Sequence, residues 1–136
     1  MIYAVIDTNV LVSAMLKWES VPGQILQHAF LGKIIPLFNE IILQEYKEVH
    51  SRPKFKFDTQ KIQIFLEEIE KRGINLEAES LDLNLPDPKD IVFYEVVMEK
   101  RKTDDTFLVT GNIKHFPSEP FILTPREMLD LIETIN

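Results

Sequence analysis

The sequence predicts an α/β fold, a three-layer α/β/α sandwich built on a mostly parallel sheet of four to five strands. Two observations carry this. Short apolar runs alternate with amphipathic helical stretches from one end of the chain to the other, the pattern that covers a parallel sheet with helices on both faces. The first run, Met1 to Ile6 (MIYAVI), is also unbroken by any polar residue, as a strand buried on both faces has to be. At 136 residues the chain reads as one domain over residues 1–136. That is enough to bury roughly two thirds of its unfolded surface.

Taken in order, the first strand stops at Asp7, and Thr8 and Asn9 open a helix in which Val10, Leu11, Ala14 and Met15 share a face. Asp7 therefore stands at the carboxyl end of a strand, the edge where open α/β sheets bind ligands. The plain alternative is that its side chain only caps the helix. After a turn at WESVPG, residues Val21 to Leu31 form a helix with Ile25, Leu26, Ala29 and Phe30 on one side, closed by Gly32. Lys33 to Phe38 is a second strand, and Pro36 suggests an edge or a strand end. Asn39 caps a helix from Glu40 to about Ser51 with Ile41, Ile42, Tyr46 and Val49 as its apolar stripe.

Glu45 lies four residues after Ile41 and four before Val49, so an acid shares a core-facing side, which is costly without a partner. Arg52 to Asp58 (RPKFKFD) alternates basic and aromatic residues. It reads either as a patch for phosphates and stacked bases or as a connector whose Phe55 and Phe57 plug the core. Thr59 to Arg72 is an amphipathic helix with Ile62, Phe65, Leu66 and Ile69 inward, ended by Gly73. Ile74 to Leu85 is a weakly patterned acidic connection with room for one short strand. Asp87 then caps a helix with Pro88 at its first position and Asp90 at its third, and Phe93, Val96 and Val97 face the core. Lys100 to Asp105 reads as a solvated turn. Thr106 to Thr110 is a buried strand running into Gly111 and Asn112, and Phe121 to Leu123 is a last short strand. Pro125 opens a terminal helix with Met128, Leu131, Ile132 and Ile135 inward.

Composition narrows the function classes. Hydrophobic residues make up 45% of the chain, which excludes disorder. There are no cysteines, so disulfides, thiolate metal sites and a cysteine nucleophile are all excluded. The apolar start is interrupted by Asp7 and preceded by no positive charge, and no run reaches the length of a membrane span. The expectation is a cytoplasmic protein. A net charge of −7 and a pI near 5.0 argue against an indiscriminate nucleic-acid binder. They leave room for a phosphate substrate if the acids gather around cations.

The sheet topology is expected to gather them. Strand ends and helix starts share one edge of a parallel sheet. That edge should hold Asp7, Asp90, Glu45 on its helix, and Thr110 with Asn112. Charges about 4 Å apart repel by about 4 kcal/mol at an effective dielectric near 20, so such a cluster calls for cations. Lys89, the base next to Asp90, is expected to point outward. Oxygen donors without Cys or His favour Mg²⁺ or Mn²⁺. His28 and His50 read as ordinary surface or core-edge histidines.

With DTNVLVSA around Asp7, LQEYKEV around Glu45, DPKD with Asp90 and LVTGN ending at Asn112, the chain resembles the PIN-domain family. The resemblance runs over essentially the whole length and is to the branch described as toxin components of toxin–antitoxin systems. It implies a PIN-like fold and metal-dependent hydrolysis of RNA phosphodiester bonds. On it, Asp7, Glu45 and Asp90 are the catalytic residues, and they hold one or two Mg²⁺ or Mn²⁺ ions together with Asn112. Thr8, Asn9, Thr110 and Asp87 support those ligands. Arg52, Lys54, Lys56 and Lys114, with His115 beside them, meet the RNA substrate. An antitoxin protein and a homodimer are the implied partners, with no membrane. Asn112 stands where the family usually has Asp, and Ile91 and Val92 follow Asp90 where relatives often carry further acid. The alternative reading is therefore a catalytically weakened or inactive PIN-fold module for RNA binding or regulation. A phosphatase of the haloacid dehalogenase type also starts from an Asp after its first strand, but needs a second Asp where this chain has Asn9.

Overall fold

β1 (Ile2–Ile6) is the centre of the sheet because its side chains find apolar cover on both faces, and Ala4 and Val5 have no exposed surface at all. The computed structural model describes residues 1–135. Among the described residues, β1 is followed by α1 (Thr8–Leu16), α2 (Val21–Phe30), β2 (Ile34–Phe38), α3 (Glu40–His50), α4 (Thr59–Arg72), β3 (Ile74–Asn75), α5 (Ile91–Arg101), β4 (Thr106–Val109), β5 (Ile122–Leu123) and α6 (Pro125–Ile135). The strands form one all-parallel, five-stranded sheet in the order β3-β2-β1-β4-β5. Helices flank it in a three-layer α/β/α arrangement. No helix among the described residues is long and apolar enough to cross a membrane.

The strand order has one functional consequence. From β1 the chain works outward through β2 to β3, then returns to the other side of β1 and works outward again through β4 to β5. The reversal lies between β1 and β4, whose carboxyl ends are paired through Ile6 and Val109. In open α/β sheets a crevice opens at such a point.

Local chemistry explains the boundaries. Ser20 and Asn39 cap α2 and α3 by accepting from the backbone N–H groups of Gly23 and Ile42. Gly32, at φ +81°, ends α2 in the left-handed conformation, and the Lys33 N–H returns to the His28 carbonyl. Thr124 and Glu127 form a reciprocal capping box at α6, with backbone-to-side-chain bonds of 3.1 and 2.9 Å. Gly73 has no room for a side chain: a Cβ there would stand 2.4 Å from the Pro36 carbonyl oxygen. Pro36 itself sits inside β2 beside the short half of the sheet, since β3 covers only Leu37 and Phe38.

Several expectations need correction. α3 is rotated so that Leu43 and His50 join Ile42 and Tyr46 in the interior, leaving Ile41 62% exposed. His50 is fully buried, neither surface nor core-edge; its Nδ1–H donates to the Tyr46 carbonyl at 2.6 Å, and burial pulls its pKa down. In α6 the interior stripe is Met128, Leu129 and Ile132, while Ile135, a turn beyond the core, is exposed. Lys100 and Arg101 belong to α5 and are not a solvated turn. Lys100 Nζ lies 4.4 Å from the Tyr3 ring centroid, and the Arg101 guanidinium covers Phe121 while donating to the Thr106 carbonyl at 2.7 Å. The α-helical hydrogen bonding of α5 starts at Ile91, and the residues Pro88 to Asp90 that lead into it form a 3-10 turn capped by Asp87.

Candidate functional site

Parallel pairing of β1 with β4 continues one residue past the end of β1, where the Asp7 N–H donates to the carbonyl of Val109, the last residue of β4, at 2.9 Å. Asp7 thus leaves the sheet at the reversal point. Its backbone carbonyl accepts the first bond of α1 from the Val10 N–H, yet its carboxylate makes no capping bond. The cap reading of Asp7 therefore does not describe its side chain, which turns across the sheet edge. Thr110, the residue after β4, donates its hydroxyl to Asp7 Oδ2 at 2.7 Å and accepts the Asn112 N–H at 2.9 Å. The Asn9 side-chain amide lies 3.3 Å from the same carboxylate oxygen, and its own oxygen accepts the Gly111 N–H. The start of α1 and the loop after β4 are joined through the acid between them.

The second acid comes from α3. The Thr8 hydroxyl donates to Glu45 Oε2, so the residue after Asp7 holds the carboxylate of a different helix. Beneath this contact the Tyr46 hydroxyl, buried, donates to the Ile6 carbonyl at 2.5 Å. The third acid, Asp90, stands where the 3-10 turn becomes α5. Its Oδ2 lies 3.1 Å from His115 Nδ1 on the loop after β4, and because a carboxylate only accepts, that nitrogen carries the proton. Asp87 accepts the Lys89 N–H at 3.0 Å and holds the turn before Asp90.

Asp7, Glu45 and Asp90 line one open cavity of about 440 Å³ together with Asp87 and Asn112. Their electrostatics show acids under pressure. Burial raises the pKa of Asp7 to about 6; the Asp90 charge adds to the rise and the Thr110 hydroxyl opposes it. Burial also raises Glu45, helped by Asp7 and Asp87 and opposed by Thr8. Asp90 is raised by burial too, with Asp87 and Glu45 adding and His115 opposing. A carboxylate that is destabilised when charged, beside others in the same state, gains from a cation.

The donor set is oxygen, apart from His115. Among the described residues no group of three or more His, Cys, Asp or Glu side chains stands close enough to hold a metal ion by itself. The cavity offers carboxylate oxygens, the hard donors that a divalent ion takes one or two at a time. Mg²⁺ is commonly held in this way, through one or two carboxylates with water and substrate phosphate completing its shell.

Of the bases named from the sequence, Arg52 lines the cavity but is engaged with Glu48 at 2.8 Å. Lys54, Lys56 and Lys114 are exposed and are not among the cavity's lining residues. Lys89, expected to point outward, lines it. Sequence reasoning also missed the pairing of His115 with Asp90, the Tyr46 hydroxyl and Ser13, which lines the cavity four residues after Asn9. Only Ser13 left a signal, its helical spacing from Asn9.

A family model described as PIN domain matches residues 3–114. No curated relative and no solved structure matches the chain.

Proposed function

The chain belongs to the PIN-domain family, whose fold is that of nucleases, and from this we propose that it is a divalent-cation-dependent endoribonuclease. The observation that supports this reading best is Asp7, buried at the reversal point of the sheet with its pKa raised to about 6 and two further acids around the same cavity.

Asp7 and Asp90 would hold Mg²⁺ or Mn²⁺, with the amide oxygen of Asn112 as a further ligand and Glu45 sharing the ion through a bound water. When bound, such an ion supplies an acidified water as nucleophile and positive charge for the leaving oxygen. The chain's own residues do the rest. Thr110 and Asn9 fix the Asp7 carboxylate, and Thr8 fixes Glu45. Glu45, whose pKa is raised, is suited to accept a proton. Lys89 and Arg52, which line the cavity, would meet phosphate there, Arg52 by leaving Glu48, and the exposed Lys54, Lys56 and Lys114 would meet a longer strand.

The same proposal covers residues 1–136 as one PIN-like unit, acting in the cytoplasm as the toxin of a toxin–antitoxin pair, with an antitoxin protein and a second copy as partners. The exposed side of α4, where Ile64 is 66% exposed, is a candidate surface for the second copy. A direct test is Mn²⁺-dependent cleavage of a labelled RNA by wild type and by Asp7→Asn. Cleavage by wild type alone is the expected result, and equal cleavage by both would assign the activity to a contaminant.

A second reading has its own support. Asp90 is already engaged by His115 and Asn112 brings no charge, and both favour a binding module with weakened catalysis. It predicts RNA binding without cleavage and without tight Mn²⁺ binding.

A further inference from the structure

The segment Arg52 to Asp58 alternates bases with aromatics, and its two phenylalanines have different environments. Phe57 packs against the hydrophobic core and stacks on the buried His50 ring with centroids 5.9 Å apart. Phe55 takes no part in that core. It stacks outward on Phe57 at 5.6 Å, with the ring planes 13° apart, and lines the acidic cavity.

The backbone that sets the rings side by side is held in a rare form. Lys56 has φ 55°, and among the described residues it is the only non-glycine with positive φ. The 3-10 turn Pro53–Phe55 precedes it, closed by the Phe55 N–H on the Arg52 carbonyl and the Lys56 N–H on the Pro53 carbonyl, both at 3.1 Å. Strain of this kind persists where the surrounding structure holds it, often at ligand sites. Burial in the core does not account for the position of Phe55, yet a ladder of rings reaching down to His50 keeps it in place at the cavity rim. Lys54 Nζ lies 5.0 Å from the Phe55 centroid. An aromatic face with a cation beside it is the pairing that takes a nucleobase and its phosphate together.

We infer that Phe55 is a stacking platform for an unpaired nucleobase next to the phosphate that enters the cavity. This rests on the ribonuclease reading and gives the site a base-binding position that a duplex cannot use, because in a duplex both faces of each base are covered by its neighbours. Lys54, exposed beside the ring, gives up the ring face to the base and turns to the adjoining phosphate.

The test uses short RNAs carrying 2-aminopurine, whose fluorescence falls on stacking, single-stranded or annealed to a complement, in EDTA so that the strand stays whole. Wild type should quench the single strand and bind it more tightly than the duplex. Phe55→Leu, which leaves the core untouched, should lose the quenching and weaken single-strand binding roughly tenfold with duplex binding unchanged. Phe55→Trp should restore both. Single-strand binding by Phe55→Leu equal to wild type, or an equal loss on both RNAs, would overturn the platform. Phe55-dependent quenching with no cleavage in Mn²⁺ would remove the nuclease reading and leave the platform standing, whereas a wild type that cleaves the strand in Mn²⁺ but neither binds nor quenches it in EDTA would overturn the platform and leave the nuclease reading standing.

Discussion

The hydroxyl of Thr110 donates to Asp7 Oδ2 at 2.7 Å although the two residues are 103 apart in the chain. Parallel pairing of β1 and β4 makes them neighbours, and the bond is buried. Thr110→Val keeps the shape and removes the donor. It should cost about 1–3 kcal/mol, the usual penalty for leaving a buried polar group unmatched. Because Thr110 holds the Asp7 pKa down, the variant's Asp7 should titrate higher, and any cleavage activity should need a higher pH. Chemical denaturation and a pH–rate profile check both. An unshifted profile would mean that Thr110 shapes the loop after β4 and not the acid.

Stability in the absence of divalent ions should fall as pH rises from about 4 to about 6. The ordinary value for Asp7 is 3.8 and the folded value about 6, so between them the folded chain holds a proton that the unfolded chain has released. The stabilisation is complete below the unfolded value and lost as pH passes the folded one. Two pKa units correspond to about 3 kcal/mol, an upper figure for this residue. Asp7→Asn cannot lose it and should be more stable than wild type at neutral pH by about 1–3 kcal/mol. Glu45 and Asp90 are raised as well and act in the same direction. Urea titrations across the window would show wild type falling more steeply than the variant, whose remaining slope comes from Glu45 and Asp90; parallel curves would contradict the assignment.

A divalent ion should reverse that order. An ion bound only by the folded state at a hundred times its dissociation constant adds about 2.7 kcal/mol. Mn²⁺ should therefore raise the melting temperature of wild type, and raise that of Asp7→Asn or Asp90→Asn far less. Asp105→Asn, at an exposed position away from the cavity, serves as control and should respond as wild type does. Equal shifts in all four proteins would mean that the ion binds elsewhere.

How far the sequence carries the fold depends on which interactions are local. β1 was legible because an unbroken apolar run has few other uses, and α2, α3 and α4 because their caps and glycines are short-range signals. Asp7, Glu45 and Asp90 could be expected at one edge because parallel topology puts strand ends together, and they line one cavity. What the pattern could not carry is rotation and reach. A residue's place in a helical stripe does not say that α3 turns Ile41 outward and His50 inward, nor that Tyr46 would spend its hydroxyl on Ile6. The contact of His115 with Asp90 joins positions 25 apart through a loop of no regular spacing. Lys89 follows a proline in a 3-10 turn, where helical periodicity gives the wrong direction.

Tyr46 offers the sharpest separation of support from bulk. Its ring is in the core, 2% exposed, while its hydroxyl donates to the Ile6 carbonyl at 2.5 Å, one residue before Asp7 and from the residue after Glu45. That single bond ties the helix carrying one acid to the strand carrying the other. Tyr46→Phe keeps the ring and its packing and leaves the Ile6 carbonyl without this donor, which should cost about 1–3 kcal/mol. If the bond also sets the spacing of the two carboxylates, Mn²⁺ affinity and turnover should fall by more than the stability loss explains, at temperatures where the variant is fully folded. Calorimetric titration with Mn²⁺ alongside kcat and KM on a labelled RNA reads this directly. A variant destabilised to that extent, with unchanged ion affinity and kcat, would reduce Tyr46 to a core residue with a satisfied hydroxyl.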